Sequence, residues 1–222
     1  MGRLKKFCHK KLGVNHKANY RFKISKDEQT ILVSIPKHTY PDDVCSRRGM
    51  ALVFRKKKFG WVMSRKLNPP HDRENVFFGQ GIAINANGTV FAVSAPGDVD
   101  QHERMVGTIY IFNTDGQDFS LTDFIVSPYR EKARFGEKIA LSDNGSRLIV
   151  ITPRWGDIHS CFTSKAVSFY EHCGEGFDLK GDWHADDDDE RYSYIVSLNT
   201  EETQVSIINK QTRQIVETFY LT

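Results

Sequence analysis

Four groups of side chains could do chemistry. Asp98-Val99-Asp100 with Glu103 gathers carboxylates over a short stretch, a spacing compatible with a weak divalent-cation site. No glycine-turned ligand loop surrounds them, so the plainer expectation is a solvated loop. Arg55-Lys56-Lys57-Lys58 is a cationic run beside Phe59 and Trp61, a pairing that could touch phosphate backbones and stack on bases. A solvated hairpin turn is the plainer expectation there. Arg3, Lys5, Lys6, Lys10 and Lys11 form a basic arm near the N-terminus, and Asp186-Asp187-Asp188-Asp189-Glu190 is the densest acidic block. Like charges at such density repel, so the block belongs in an exposed loop able to dock a basic surface. We take Arg3, Lys5, Lys6, Lys10, Lys11, Arg55, Lys56, Lys57, Lys58, Asp186, Asp187, Asp188 and Asp189 as candidate partner-binding residues.

Other chemistry finds little support. His71, His102, His159 and His184 are expected in inter-strand loops, with no Ser–His–Asp order and no His-x-x-x-His spacing. Cys8, Cys45, Cys161 and Cys173 lack CxxC spacing, so free, buried thiols are expected rather than zinc or a disulfide framework. No catalytic residue, cofactor or metal ligand is assigned.

Charge adds an asymmetry. Nine of the 31 Lys and Arg precede the first acid, Asp27, so the rest of the chain is net acidic although the total is +3. A basic arm beside an acidic body suggests an electrostatic partner, protein or nucleic acid. The start, Met1 to Phe7, has no apolar core for a signal peptide, and no run approaches the length of a membrane span. The expectation is a chain made in a cytosol, with no membrane partner.

These side chains must be carried by a repeat. Phe78-Gly79 opens a strand, Asn87-Gly88 turns it, and Val90 to Ala95 forms a nearly continuous apolar strand ending at Pro96. Gly107 to Phe112 makes a third strand and Phe119 to Ile125 a fourth. The same order returns one period later without a gap, from Phe135-Gly136 through Asn144-Gly145 to Thr152-Pro153, then Lys165 to Tyr170 and a strand from Phe177. A degraded copy occupies 19–69 and a truncated one 192–222. The copies are therefore 19–69, 78–128, 135–184 and 192–222, after a basic arm at 1–18.

The interval from Phe78 to Phe135 points to a repeat architecture. Apolar runs buried on both faces need a neighbour on each side, which stacked four-stranded meanders supply. The expected fold is all-β, a β-propeller-like array of about four four-stranded antiparallel blades. The Asn-Gly pairs supply positive φ for tight hairpins, and Gly79 and Gly136 mark close backbone approach near the axis. The last copy lacks a fourth strand, and part of residues 3–13 is expected to complete it and close the ring. Trp61, Trp155 and Trp183 are expected to anchor packing.

The pattern Phe78-Gly79, Ser94-Ala95-Pro96 and Gly107 to Phe112, repeated as Phe135-Gly136 and Thr152-Pro153, resembles the FG-GAP repeat of integrin-α-type β-propellers. The resemblance is strong over 78–128, fair over 135–180 and weak elsewhere. It implies a rigid binding scaffold, and such repeats also occur in virus and phage proteins. Family calcium loops carry a DxDxDG-like run where this chain has Asn85-Ala86-Asn87-Gly88 and Ser142-Asp143-Asn144-Gly145, so plain turns are expected. The functional expectation is a non-catalytic structural or interaction module of an oligomeric assembly, with a virus or phage particle as one setting. The alternatives are a propeller-type polysaccharide hydrolase or lyase, and a nucleic-acid-contacting protein using the basic arm.

Overall fold

The computed structural model describes residues 20–39, 47–129, 133–155, 164–184, 194–198, 204–209 and 212–220. Each copy of the repeat folds into one antiparallel meander, as the alternation of apolar runs and turn residues requires. Blade 1 is β1 (Arg21–Ile24), β2 (Thr30–Ile35), β3 (Met50–Lys57) and β4 (Gly60–Leu67). Blade 2 is β5 (Ile82–Ile84), β6 (Val90–Ala95), β7 (Thr108–Thr114) and β8 (Phe119–Val126). Blade 3 is β9 (Lys138–Leu141), β10 (Arg147–Trp155), β11 (Ser164–His172) and β12 (Phe177–His184). Blade 4, among the described residues, has three strands: β13 (Tyr194–Leu198), β14 (Gln204–Asn209) and β15 (Ile215–Tyr220). Residues 3–13, expected to supply its fourth strand, lie outside the described residues.

The first hairpin keeps one register in all four copies. Ile24 faces Ile31, Ile84 faces Phe91, Leu141 faces Leu148 and Leu198 faces Val205, always at the same separation along the chain. Register fixes which side chains reach which face, so the last copy keeps the same first hairpin as the other three. A bulge recurs between the third and fourth strands at Val53/Phe54, Ile111/Phe112 and Phe169/Tyr170. Such bulges sharpen the local twist of a sheet.

Consecutive blades stack face to face with their first strands drawn together, β1 against β5 and β5 against β9. This is the radial arrangement of propeller blades. Leu32, Ala51 and Val53 of blade 1 meet Phe91, Val93 and Phe112 of blade 2. Ala92, Ile109 and Ile111 of blade 2 meet Leu148, Val150 and Ala166 of blade 3 on the other side. Ile207 of blade 4 packs on Ile149, Val167 and Phe169.

The Phe-Gly pairs lie in these interfaces. Phe78 is fully buried against Tyr110 and Phe112, and Phe135 against Tyr129 and Tyr170. Removing either ring would cost about 3–5 kcal/mol. The glycine that follows must be a glycine. Gly79 has φ +92° and Gly136 φ +82°, and a Cβ on either would stand 2.6 Å from the Cβ of Ser34 or Ser94 in the preceding blade. Ser34 Oγ donates to the Gly79 carbonyl at 2.7 Å, and Ser94 Oγ donates to that of Gly136 at 2.5 Å while accepting from the Gly81 amide at 2.7 Å. The serine just ahead of the strand-ending proline and the Phe-Gly pair of the next copy are thus two halves of one inter-blade latch.

Some expected boundaries shift. Residues 78–81 are not strand: Phe78 makes only an isolated bridge to Gly49, and β5 begins at Ile82. The close approach to the preceding blade holds that stretch in a turn. β10 continues past Pro153 to Trp155, with a register shift that absorbs the proline. His184 ends β12 rather than lying in a loop. Trp61 and Trp183 pack against the cores of blades 1 and 3, as anchors should.

Candidate functional site

The cationic run does not act as one unit. β3 extends through Lys57, so Arg55 is a strand residue rather than part of the turn. Strand alternation points its guanidinium back across the sheet, where Nη1 donates to Thr30 Oγ1 and Nη2 to the Gly88 carbonyl at 2.9 Å. Burial is the main reason its pKa falls below the usual arginine value, with Asp27 pulling the other way. Arg55 is therefore a strut between blades 1 and 2 rather than a residue of a solvated turn, a correction to where the sequence reading placed it. Lys56, Lys57 and Lys58 are exposed at the hairpin between β3 and β4. Phe59 at the tip is 96% exposed, with Lys58 Nζ 5.5 Å from its ring centroid. On the outermost strand β4, Val62 and Met63 are also more than half exposed. Arg3, Lys5, Lys6, Lys10, Lys11 and Asp186 to Asp189 lie outside the described residues.

The acidic loop after β6 is the second correction. Asp98 is not solvated: it is 2% exposed, and its carboxylate is fully engaged. Tyr110 of β7 donates its hydroxyl to Oδ2, the Val99 amide donates to Oδ1 at 2.9 Å, and His71 Nε2 lies 2.9 Å from Oδ1. His71 Nδ1 accepts from the Arg73 amide at 3.3 Å. Both ring nitrogens are therefore in use. Burial first, then the Asp98 carboxylate, hold the Tyr110 phenol well above its usual range. Asp100 turns away from Asp98 onto Arg104, whose Nε and Nη2 meet it at 2.8 and 2.6 Å. The carboxylates that sequence spacing gathers are therefore split between two partners. Among the described residues, no three His, Cys, Asp or Glu side chains converge in a way that could hold a metal ion.

A cleft of about 650 Å³ opens beside this cluster, lined by His71, Arg73, Thr108, Tyr110, Phe124 and Val126 among others. Its polar floor has a counterpart one blade on. Tyr129 follows His71 by the same interval at which Ser168 follows Tyr110, and the Tyr129 and Ser168 hydroxyls meet at 2.5 Å. Among the described residues, the connections into blades 2 and 3 are thus each tied by a polar contact to the third strand of the blade they enter, His71 Nε2 lying 3.2 Å from the Tyr110 hydroxyl in the first. The signal was present in the sequence as this shared interval, but residue types alone concealed it.

The turn oxygens are likewise occupied. Asn85 Oδ1 accepts from the Thr89 and Val90 amides at 2.9 and 3.0 Å, and Asn144 Oδ1 from the Ser146 amide at 2.9 Å. Gly88 and Gly145 carry positive φ in these hairpins, as the Asn-Gly pairs predict. Cys173, expected to be buried, is a free exposed thiol in the turn between β11 and β12. Cys8, Cys45 and Cys161 lie outside the described residues, as does His159.

No protein-family model matches the sequence, and no curated relative matches it. Among solved structures the chain is similar to a protein provisionally named a 6-phosphogluconolactonase from Bacteroides fragilis NCTC 9343. The identity is 10%, the match covers 90% of this chain and 54% of that one, and the TM-score is 0.50. A second protein so named, from Bacteroides uniformis ATCC 8492, matches at 12% identity over 90% of this chain and 54% of that one, with a TM-score of 0.49. The β-propeller domain of the Trilobed protease from Pyrococcus furiosus matches at 10% identity over 87% of this chain and 50% of that one, with a TM-score of 0.47. The chain spans about half the length of these structures. At such identities the likeness bears on fold alone.

Proposed function

We propose that this chain is a non-catalytic docking propeller that presents the β3–β4 hairpin to another protein subunit of a larger assembly. The observation that carries the reading is Phe59, 96% exposed at the tip and next to Lys56, Lys57 and Lys58. An aromatic ring so exposed buries little apolar surface in the free chain, and apolar surface rimmed by charge is typical of a docking site. Val62 and Met63 continue the apolar surface along the outermost strand. The His71, Asp98 and Tyr110 contacts tie the connection before blade 2 to its third strand, a structural use that supports the non-catalytic part of the reading. The FG-GAP resemblance points the same way and suggests a virus or phage particle as one setting. The basic arm and Asp186 to Asp189 are further candidate contacts.

The test is co-purification of the full chain from its source, beside a Phe59→Ala/Lys57→Glu variant whose fold is checked by circular dichroism. A defined subunit that elutes with the wild type in fixed ratio and is lost from the variant is expected. A solitary monomer that cleaves polysaccharide overturns the reading. So does an associated nucleic acid that is released steeply by salt while no protein partner remains.

A further inference from the structure

The strands that converge at the axis form a second cleft, of about 590 Å³, which the hairpin reading leaves unused. Its walls come from β1, β5, β9 and β10: Phe22, Ile82, Ile139, Ile149 and Ile151 give apolar surface. Its size is that of a small-ligand site. Three cationic side chains line it, Arg21 and Lys23 from β1 and Lys138 from β9. None of the three forms an ion pair with any described residue, although the surface elsewhere is laced with such pairs. The one carboxylate in the lining, Glu137, is already spoken for: Arg134 Nη2 lies 2.8 Å from its Oε2, and Gln80 Nε2 donates to its Oε1 at 2.6 Å. What faces the cleft is therefore an excess of uncompensated positive charge between low-dielectric apolar walls, an arrangement that concentrates anions.

We propose that this axial cleft binds a small polyanion, a molecule with several negatively charged oxygens such as a phosphorylated or polycarboxylate compound. Arg21, Lys23 and Lys138 hold it from two different blades. The aliphatic stems of the lysines and the isoleucine side chains cover its carbon skeleton, while Glu137 and Gln80 form a floor that is neutralised before the ligand arrives. Cations from blades 1 and 3 meet only when the blades are stacked, so the site exists in the folded array and not in any one repeat. Like charges held together without a counter-ion also oppose folding, and an anion that fills the cleft removes that opposition.

The experiment uses the full chain at low ionic strength, with orthophosphate, pyrophosphate and citrate as probes, read by calorimetry and by thermal unfolding. Pyrophosphate or citrate is expected to bind saturably at one site and to raise the unfolding midpoint, as a ligand of the native state must. Stronger binding of pyrophosphate assigns phosphoryl groups, and stronger binding of citrate assigns carboxylates. Arg21→Gln and Lys138→Gln are each expected to weaken binding roughly tenfold or more and to raise the midpoint of the anion-free chain. Lys138→Arg is expected to retain binding, and Lys57→Gln at the remote hairpin to leave it unchanged. The proposal is overturned if no probe binds saturably, or if the Arg21 and Lys138 variants bind as the wild type does. It is also overturned if an oligonucleotide outcompetes both probes and is lost equally on Lys57→Gln, because the charge would then act as a diffuse surface. None of these outcomes depends on whether the hairpin docks a subunit.

Discussion

The Ala86 amide donates to the carbonyl of Asp143 at 3.0 Å, one repeat further along the chain. The Ala86 carbonyl in turn accepts from the amide of Asp27 at 3.1 Å. Ala86 and Asp143 occupy the same place in the first hairpins of blades 2 and 3, and Asp27 sits one place further along that of blade 1. The hairpin tips therefore form a hydrogen-bonded ladder across the blades, and an exposed ion pair between Lys26 and Asp143 spans it from blade 1 to blade 3. Beside the ladder, Asp27, Asn85 and Asn144 fold their side-chain oxygens back onto backbone amides of their own turns.

This ladder predicts protection where turns are ordinarily labile. The amides of Asp27 and Ala86 should exchange with solvent on the order of 100-fold more slowly than that of Asn87, an exposed residue of the Ala86 turn. Amide exchange followed by NMR checks this. Equal, fast exchange at all three positions would mean that the blades do not hold each other at these tips.

The inter-blade latch makes a second prediction. Gly136→Ala places a methyl 2.6 Å from Ser94 Cβ at a φ of +82°, and should destabilise the fold by about 2–4 kcal/mol in urea unfolding. Ser94→Ala strips two buried backbone groups, the Gly81 amide and the Gly136 carbonyl, of their partner and should cost about 1–3 kcal/mol. The double variant should fall short of the sum, because both changes open the same contact. Strict additivity would show that the two residues act independently.

A third prediction concerns acid. Hydrogen bonds from Arg104 are the largest reason that Asp100 has its pKa lowered from 3.8 to about 2, helped by the amides of Arg104 and His102. Because the folded value is depressed, the stabilisation is complete above about 4 and is lost as pH falls through about 2. The Asp100 carboxyl signal in an NMR titration should have its midpoint near 2, and Arg104→Gln should move it up toward the ordinary range. A normal midpoint in the wild type would show that the pair does not form in solution. The pair lies at the surface, so little change in global stability should accompany the shift.

Much of this fold is legible because repetition averages out local ambiguity. Val90 to Ala95 alone is an apolar run of uncertain type, but aligned with Leu148 to Ile151 and beside two Asn-Gly turns it becomes a second blade strand. The candidate site was far less legible. Arg55 reads as part of a solvated cationic turn until strand β3 is seen to run on through Lys57, which turns its side chain inward onto Gly88. Asp98 reads as a loop acid because its partners are distant in sequence, His71 in the preceding inter-blade connection and Tyr110 on the next strand. Sequence spacing carries local geometry, and these contacts are set by how one blade leans on the next. The axial cleft was hidden for the same reason, since Arg21 and Lys138 are neighbours only around the axis.

The latch between blades also has a direction in time. In the two latches among the described residues the earlier blade offers the serine, Ser34 or Ser94, and the later segment brings the Phe-Gly pair that meets it. As a chain emerges from the ribosome, N-terminal residues first, the socket is made before its plug has been translated. Blade 1 is left with an open face until Phe78 and Gly79 appear, and blade 2 until Phe135 and Gly136 do. Assembly of the described blades is therefore vectorial: blade 2 finishes blade 1 and blade 3 finishes blade 2, and a pause in translation between residues 67 and 78 would leave the first socket open.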